Sequence, residues 1–434
     1  MPTTTTRRRW LAILGITTLG TTPALQAAGL LDKLFKSKDP AMSIETDEFI
    51  WNISACKYSL DIELRGNSRV STLMYGNRMM DASGKDVARF YTGFGAPWGG
   101  GSTPMGGDIG RARLPKTLEL SYYDYIEGVL YQLQAPLPIE RIHARFSEQT
   151  VSHTKPYGQV VQKYDNIRIG VGPQGHIMVW LASVSGNQVE LATYQATPVK
   201  GFDPAEYNRK LPGGSFYLTE DRFEELFDPV NRLSKPTQER IRGGWRADPR
   251  YYFETLRLKY PWRFKLTGAV SQLVELAGRY ANFEGQAIGA WEMAGYRTSA
   301  EMRAVPRSAE FWYLDKEGQR RYLGLRFYQK DRALSEPDLT LVREAFATMF
   351  GPRTLADNEA MAMEPDMATV EVNVGEDFKT VTAALVKGER RLPLAMGRIE
   401  TFPVQPGAYW EGTETPAPEM LKLFREGPPP KGGR

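Results

Sequence analysis

The stretch YDNIRIGVGPQGHIMVWL, residues 164–181, contains Gly170-Val171-Gly172-Pro173-Gln174-Gly175, a formal match to the G-x-G-x-x-G pattern that cradles dinucleotide phosphates. That chemistry needs a strand before the first glycine and a helix opening at the last, because the helix N-terminus supplies the amides that hold the pyrophosphate. Ile167, Ile169 and Val171 supply the strand, but His176-Ile177-Met178-Val179-Trp180-Leu181 continues with bulky β-formers where a helix should begin. Pro173 fixes φ and Gly175 tolerates either sign of it, which suits a chain reversal. The stretch therefore predicts an antiparallel hairpin and no nucleotide site.

Working outward, the same pattern recurs. Leu114 to Tyr123 reads as a strand, Asp124 to Gly128 as a turn, and Val129 to Gln134 alternates at period two before Pro136 and Pro138 stop it. Trp51–Leu64 and Arg69–Tyr75 read as further strands. Between them and this hairpin lies a glycine-rich loop, Gly93 to Ser102, carrying Phe94 and Trp98.

Further along, Asp203-Pro204-Ala205-Glu206 is a helix start with cap, proline and returning glutamate. From Lys235 to Phe264 the chain is basic, aromatic and broken by prolines, with Arg242, Trp245, Arg246 and Tyr251 among its residues. Phe311–Gly318 and Arg321–Tyr328 predict another hairpin. A helix is predicted from a Ser335 cap, with Leu341, Val342, Ala345, Phe346 and Met349 inward and Gly351 ending it. Met367–Val374, Val381–Val386 and Ile399–Trp410 read as strands. With 41 Gly, 29 Pro and 11% aromatic residues, the 434-residue chain is expected to be a β-rich α+β protein of antiparallel sheets and a few helices.

Length favours two domains, 45–215 (β-rich) and 216–425 (α+β), after an export signal (1–27) and a linker (28–44), with a disordered tail at 426–434. The signal is read from Arg7-Arg8-Arg9, the apolar run Trp10–Ile16 and the small residues leading to Ala27. It predicts export to the periplasm by the general secretory or the twin-arginine route, without a stable membrane span. Losing it lowers Lys+Arg from 55 to 52 against 51 acidic residues, so the formal charge falls from +4 to +1. That balance disfavours a nucleic-acid partner. Cys56 is the single cysteine, which excludes an intramolecular disulfide and predicts a small buried apolar side chain.

The order Leu114-Pro115, Tyr131, Pro136, Tyr164, Gly170, Gly172-Pro173-Gln174-Gly175 and Trp180 resembles an uncharacterised bacterial envelope and lipoprotein family, DUF2931-like, whose members recur beside type VI secretion lipase effectors. The likeness covers roughly residues 45–200. It departs from the family pattern in lacking a lipobox cysteine and in having Tyr122 where tryptophan is frequent. It implies a periplasmic immunity protein that inhibits a secreted phospholipase effector in bacterial competition.

Motifs for catalysis are missing. No G-x-S-x-G elbow and no H-E-x-x-H occurs, and His143, His153 and His176 lie in a β-rich stretch without ligand spacing. No metal or cofactor is expected, and the protein is read as a binder rather than an enzyme. The alternative is an envelope hydrolase or carbohydrate- or lipid-binding protein of unrecognised type with an aromatic cleft. For the binder, the candidate contacts are Phe94, Trp98, Arg242, Trp245, Arg246 and Tyr251, residue types that dominate interface energetics.

Overall fold

The structure, a computed structural model, describes residues 44–404 apart from 59–70, 92–95, 102, 105, 155–157, 184–185, 211–217, 219–223, 225–226, 228–234, 290–291 and 329–338. The predicted export signal and tail, the predicted Ser335 cap and Phe94 lie outside the described residues.

In chain order the strands are β1 (Glu48–Lys57), β2 (Ser71–Leu73), β3 (Asn77–Met80), β4 (Asp86–Phe90), β5 (Ala96–Pro97), β6 (Asp108–Arg113), β7 (Thr117–Asp124), β8 (Val129–Pro136), β9 (Gln149–Thr154), β10 (Gly158–Lys163), β11 (Asn166–Val171), β12 (His176–Ala182), β13 (Gln188–Gln195) and β14 (Thr197–Pro198). They continue with β15 (Lys259–Gly268), β16 (Gln272–Tyr280), β17 (Gly285–Ile288), β18 (Met302–Ala304), β19 (Pro306–Leu314), β20 (Arg320–Arg326), β21 (Ala368–Val374), β22 (Val381–Lys387), β23 (Arg390–Pro393) and β24 (Arg398–Pro403). Six helices matter below: α1 (Ile139–Ser147), α2 (Pro204–Lys210), α3 (Lys235–Arg242), α4 (Pro249–Phe253), α5 (Met293–Thr298) and α6 (Thr340–Phe350).

The opening stretch folds as β11, a single turn at Pro173–Gly175, and β12, paired antiparallel from Val171↔Ile177 to Asn166↔Ala182. Gln174 at φ 55° and Gly175 at φ 80° make the reversal. β12 is buried almost throughout, and the reason lies in its two faces. Ile177, Val179 and Leu181 enter one core, with Ile53, Ile167, Ile169, Leu118, Leu120 and the α1 residues Ile142 and Phe146. Met178 and Trp180 enter another, with Trp262, Phe264, Phe311, Leu323 and the α6 residues Val342 and Phe346. A strand covered on both faces reads as a continuous apolar run.

The largest sheet has eleven strands, ordered β24-β20-β19-β16-β17-β13-β12-β11-β1-β5 with β6 also on β1. The first core lies between its N-terminal half and the sheet β14-β8-β7-β3-β4, which also takes β2; the second lies between its C-terminal half and β18-β15-β21-β22-β23. Strands from both sides of residue 215 share this sheet, and Ile44–Arg434 forms one compact unit.

Among the described residues the β14-β8-β7-β3-β4 sheet and the β9–β10 pair are antiparallel as expected, but the largest sheet and the β18-β15-β21-β22-β23 sheet are mixed, since β1 with β11 and β15 with β21 run parallel. The long crossovers between these strands in sequence make parallel pairing possible. The cap at Asp203 forms, its carboxylate accepting from Ala205 N at 2.8 Å, while Glu206 pairs forward with Lys210 at 2.7 Å. α6 turns Val342, Phe346 and Met349 inward, but Leu341 is 51% exposed, because it precedes that face by about 100° of helix turn.

Candidate functional site

The glycines of the opening motif serve aromatic packing. A β-carbon on Gly170 would lie 2.6 Å from Trp180 and 2.9 Å from Trp98, and one on Gly172 would lie 2.6 Å from Phe253. Rings lie directly on the backbone there, so any larger side chain at either position forces them away. Trp98 is 4% exposed and meets Trp180 and Tyr252 with ring centroids at 5.2 Å and Phe253 at 5.4 Å. The glycine-rich loop thus delivers Trp98 into the core instead of presenting it to a partner. Its physical reason is the aromatic slot that α4 and β12 leave open.

The residues that carry the family likeness also converge. Tyr122 Oη donates to Gly172 O at 3.2 Å, Tyr131 Oη to Glu127 Oε2 at 2.5 Å, and Gln174 N to Glu127 Oε1 at 2.9 Å. Tyr58 Oη donates to Asp124 Oδ2 at 2.9 Å, and Asp124 Oδ1 accepts from the amides of Ile126 and Glu127. These bonds fasten the β7–β8 hairpin to the β11–β12 hairpin. Burial, and secondarily the nearby Glu127 carboxylate, push the Asp124 carboxyl up to about 7. With no exposed surface, Asp124 meets no substrate and holds the turn.

The basic stretch forms a surface. Arg240 lies over Trp245 at 4.6 Å, and Arg242 lies over Phe227 at 4.2 Å while pairing with Glu224 at 3.2 Å. Arg246 donates to Trp245 O at 2.9 Å, and Arg250 pairs with Asp248, the α4 cap, at 2.8 Å. Tyr251 packs edge-on against buried Tyr252 at 5.4 Å. Arg242 and Arg246 are exposed, and Trp245 and Tyr251 are half-buried. Four of the six anticipated contacts therefore sit on one segment, with Trp98 beneath it beside Tyr252 and Phe94 outside the described residues. Sequence reasoning placed Arg240 in this basic stretch but not among the contacts, although it stands five residues before Trp245. Among the described residues, Arg240 and Arg246 have no carboxylate partner.

His143 lies on α1, hydrogen-bonded to Asp47 at 3.0 Å, rather than on a strand. His176 opens β12 and contacts Pro173 O at 3.1 Å. Among the described residues no group of three His, Cys, Asp or Glu side chains is placed to hold a metal, and no helix is long and apolar enough to cross a membrane. Cys56 is fully buried, which pushes its thiol up to about 12.

Residues 38–237 match the model of the family described as "Protein of unknown function (DUF2931)", so the segment holding both fastened hairpins is DUF2931-like. The match stops within α3, short of most of the arginine–aromatic segment. No curated protein and no solved structure matches the chain.

Proposed function

We propose that this protein is a non-catalytic binding protein of the bacterial periplasm, an immunity protein that captures a type VI secreted phospholipase effector and blocks it. The observation that carries the binding role is the arginine–aromatic surface at 240–251, where two guanidinium groups that have no carboxylate partner among the described residues border Trp245. Arginine and aromatic residues in partly desolvated surroundings are favoured at interface hot spots. The class of partner rests on the family likeness of the N-terminal segment, and the compartment on the export signal.

Residues 28–434, tested against the products of the neighbouring genes, should capture a phospholipase stoichiometrically with loss of its activity. Reversing charge at R240E and R246E, both on the surface, should weaken capture at least tenfold. Absence of capture, or full lipase activity in the complex, would overturn the reading.

One observation favours the alternative of a ligand-binding protein. Tyr75 and Tyr91 stack at 4.6 Å on the wall of a cleft of about 480 Å³ that Arg78 and Glu119 also line. Turnover of a lipid or glycan by the protein alone would support that alternative over the binder.

A further inference from the structure

β15 is paired along one edge by β21 over its last seven residues, whereas on the other edge β18 covers only Lys259 to Pro261. Past Pro261 the place of a neighbouring strand is taken by α5, whose Tyr296 hydroxyl accepts from Phe264 N at 2.8 Å. The helix is short, and the space beside it remains as a cleft of about 500 Å³. Its apolar side includes Leu266, Val270 and Leu273, and its rim carries Arg263, Lys265 and Arg297. That volume is in the range of small-molecule sites.

Charge around the cleft is uneven. Arg263 is neutralised by Glu364, which accepts two bonds from it at 2.9 and 2.5 Å. Glu371, opposite Lys265 in the β15–β21 register, is held by Arg391 at 2.7 Å. The Lys265 side chain is exposed and, among the described residues, its ammonium has no hydrogen-bond or ion-pair partner. Arg297 gives one bond, Nη2 to Leu273 O at 3.1 Å, and has no carboxylate partner among the described residues. A guanidinium has five N–H donors, so most of its capacity is uncommitted. Among the described residues, two uncommitted cations therefore stand at the mouth of a recess that is polar over much of its lining and apolar along Leu266, Val270 and Leu273.

We propose that this cleft binds a small anionic amphiphile, its phosphate or carboxylate head held by Lys265 and Arg297 and its apolar body lying on Leu266, Val270 and Leu273. Charge-assisted bonds from an ammonium and a guanidinium suit such a head. The apolar side makes a bare anion a poor occupant, since burial of the body adds to the binding free energy. This site is separate from the arginine–aromatic surface and does not depend on its role.

The test is calorimetric titration of the full chain with dodecyl phosphate below its micelle concentration, with inorganic phosphate, and with phosphatidylglycerol vesicles. One dodecyl phosphate per chain is expected, at least tenfold tighter than inorganic phosphate. The double variant K265E/R297E should lose at least tenfold in affinity with an unchanged thermal midpoint, because both side chains are exposed. V270W, which fills the recess and keeps both cations, should lose as much, which separates a cleft from general electrostatic attraction. Vesicle binding that both variants abolish assigns the head to a membrane lipid, and binding of the monomer alone assigns it to a soluble amphiphile; each supports the site. No binding of dodecyl phosphate, equal affinity for inorganic phosphate, or variants that bind like the native chain would overturn it.

Discussion

Asp124, fully buried beneath Tyr58 and the turn at Ile126–Glu127, ties proton binding to folding. Its carboxyl is raised from the usual carboxylate range to about 7, chiefly by burial. A folded-state value above the unfolded one means the native protein binds a proton more tightly. The resulting stabilisation is fully present below pH 4 and is lost as pH rises through about 7. Glu275, raised to about 7 by burial, acts in the same window and sign. Replacing Asp124 with Asn, which cannot ionise, should flatten the fall of thermal midpoint between pH 4 and pH 7 by about 2 °C or more. A variant whose midpoint follows the native pH profile would show that Asp124 ionises no less easily in the folded chain. At this scale the sequence marked Gly170 and Gly172 as special. It could not say that rings of Trp98, Trp180 and Phe253 were the cause, because Trp98 lies about seventy residues before those glycines and Phe253 about eighty after.

Among the elements, hairpins were legible at Gly172–Gly175 and Asp315–Gly318, where period-two alternation met a turn with its own chemistry, but the β3–β4 hairpin, whose turn Asp81 builds in the same way, was missed. At the second, Asp315 accepts from Glu317 N at 3.0 Å and Gln319 N at 2.8 Å, a turn the side chain builds for itself. α1 was missed although Ile139, Ile142 and Phe146 stand at helical spacing and are buried. Pro136 and Pro138 drew attention as strand breakers, and Pro138 is also the cap position of that helix. The inner face of α6 was read correctly except at Leu341. The difference is measurable: Phe346→Ala should cost about 3–5 kcal/mol in urea unfolding, and Leu341→Ala less than about 1 kcal/mol. Equal costs would mean that the helix is rotated about its axis from the orientation described.

For the molecule as a whole, the expected boundary near residue 215 runs through one sheet. Its halves meet between β13 and β17 at the single pair Gln188↔Gly285. Side chains extend the seam where backbone pairing stops: Ala287 N donates to Asn187 Oδ1 at 2.6 Å, and Arg257 of the second half pairs with Glu190 of the first. The two-domain expectation came from length, and a join of one ladder pair and several side chains leaves no mark in local composition that could have revised it. Trp98 was read as a surface residue for a related reason: its neighbours in sequence are glycines, and its neighbours in space, Tyr252 and Phe253, come some 150 residues later. Trp98→Ala should cost about 3–5 kcal/mol and broaden or split the unfolding transition, since it loosens the contact between halves. A single sharp transition at the native midpoint would show that the halves are joined without it. The arginine–aromatic segment, by contrast, was visible directly, because its residues are adjacent in the chain.

The one-pair join between β13 and β17 also sets how the molecule would respond to being pulled. Load drawing the halves apart falls on one backbone rung, which offers little mechanical resistance. Much of the resistance lies in the ring of Trp98, which must be drawn off Tyr252 and Phe253 of the second half before the halves can part, with the Arg257–Glu190 pair breaking beside it. Under tension the protein is held less like a zipper than like a peg in a socket.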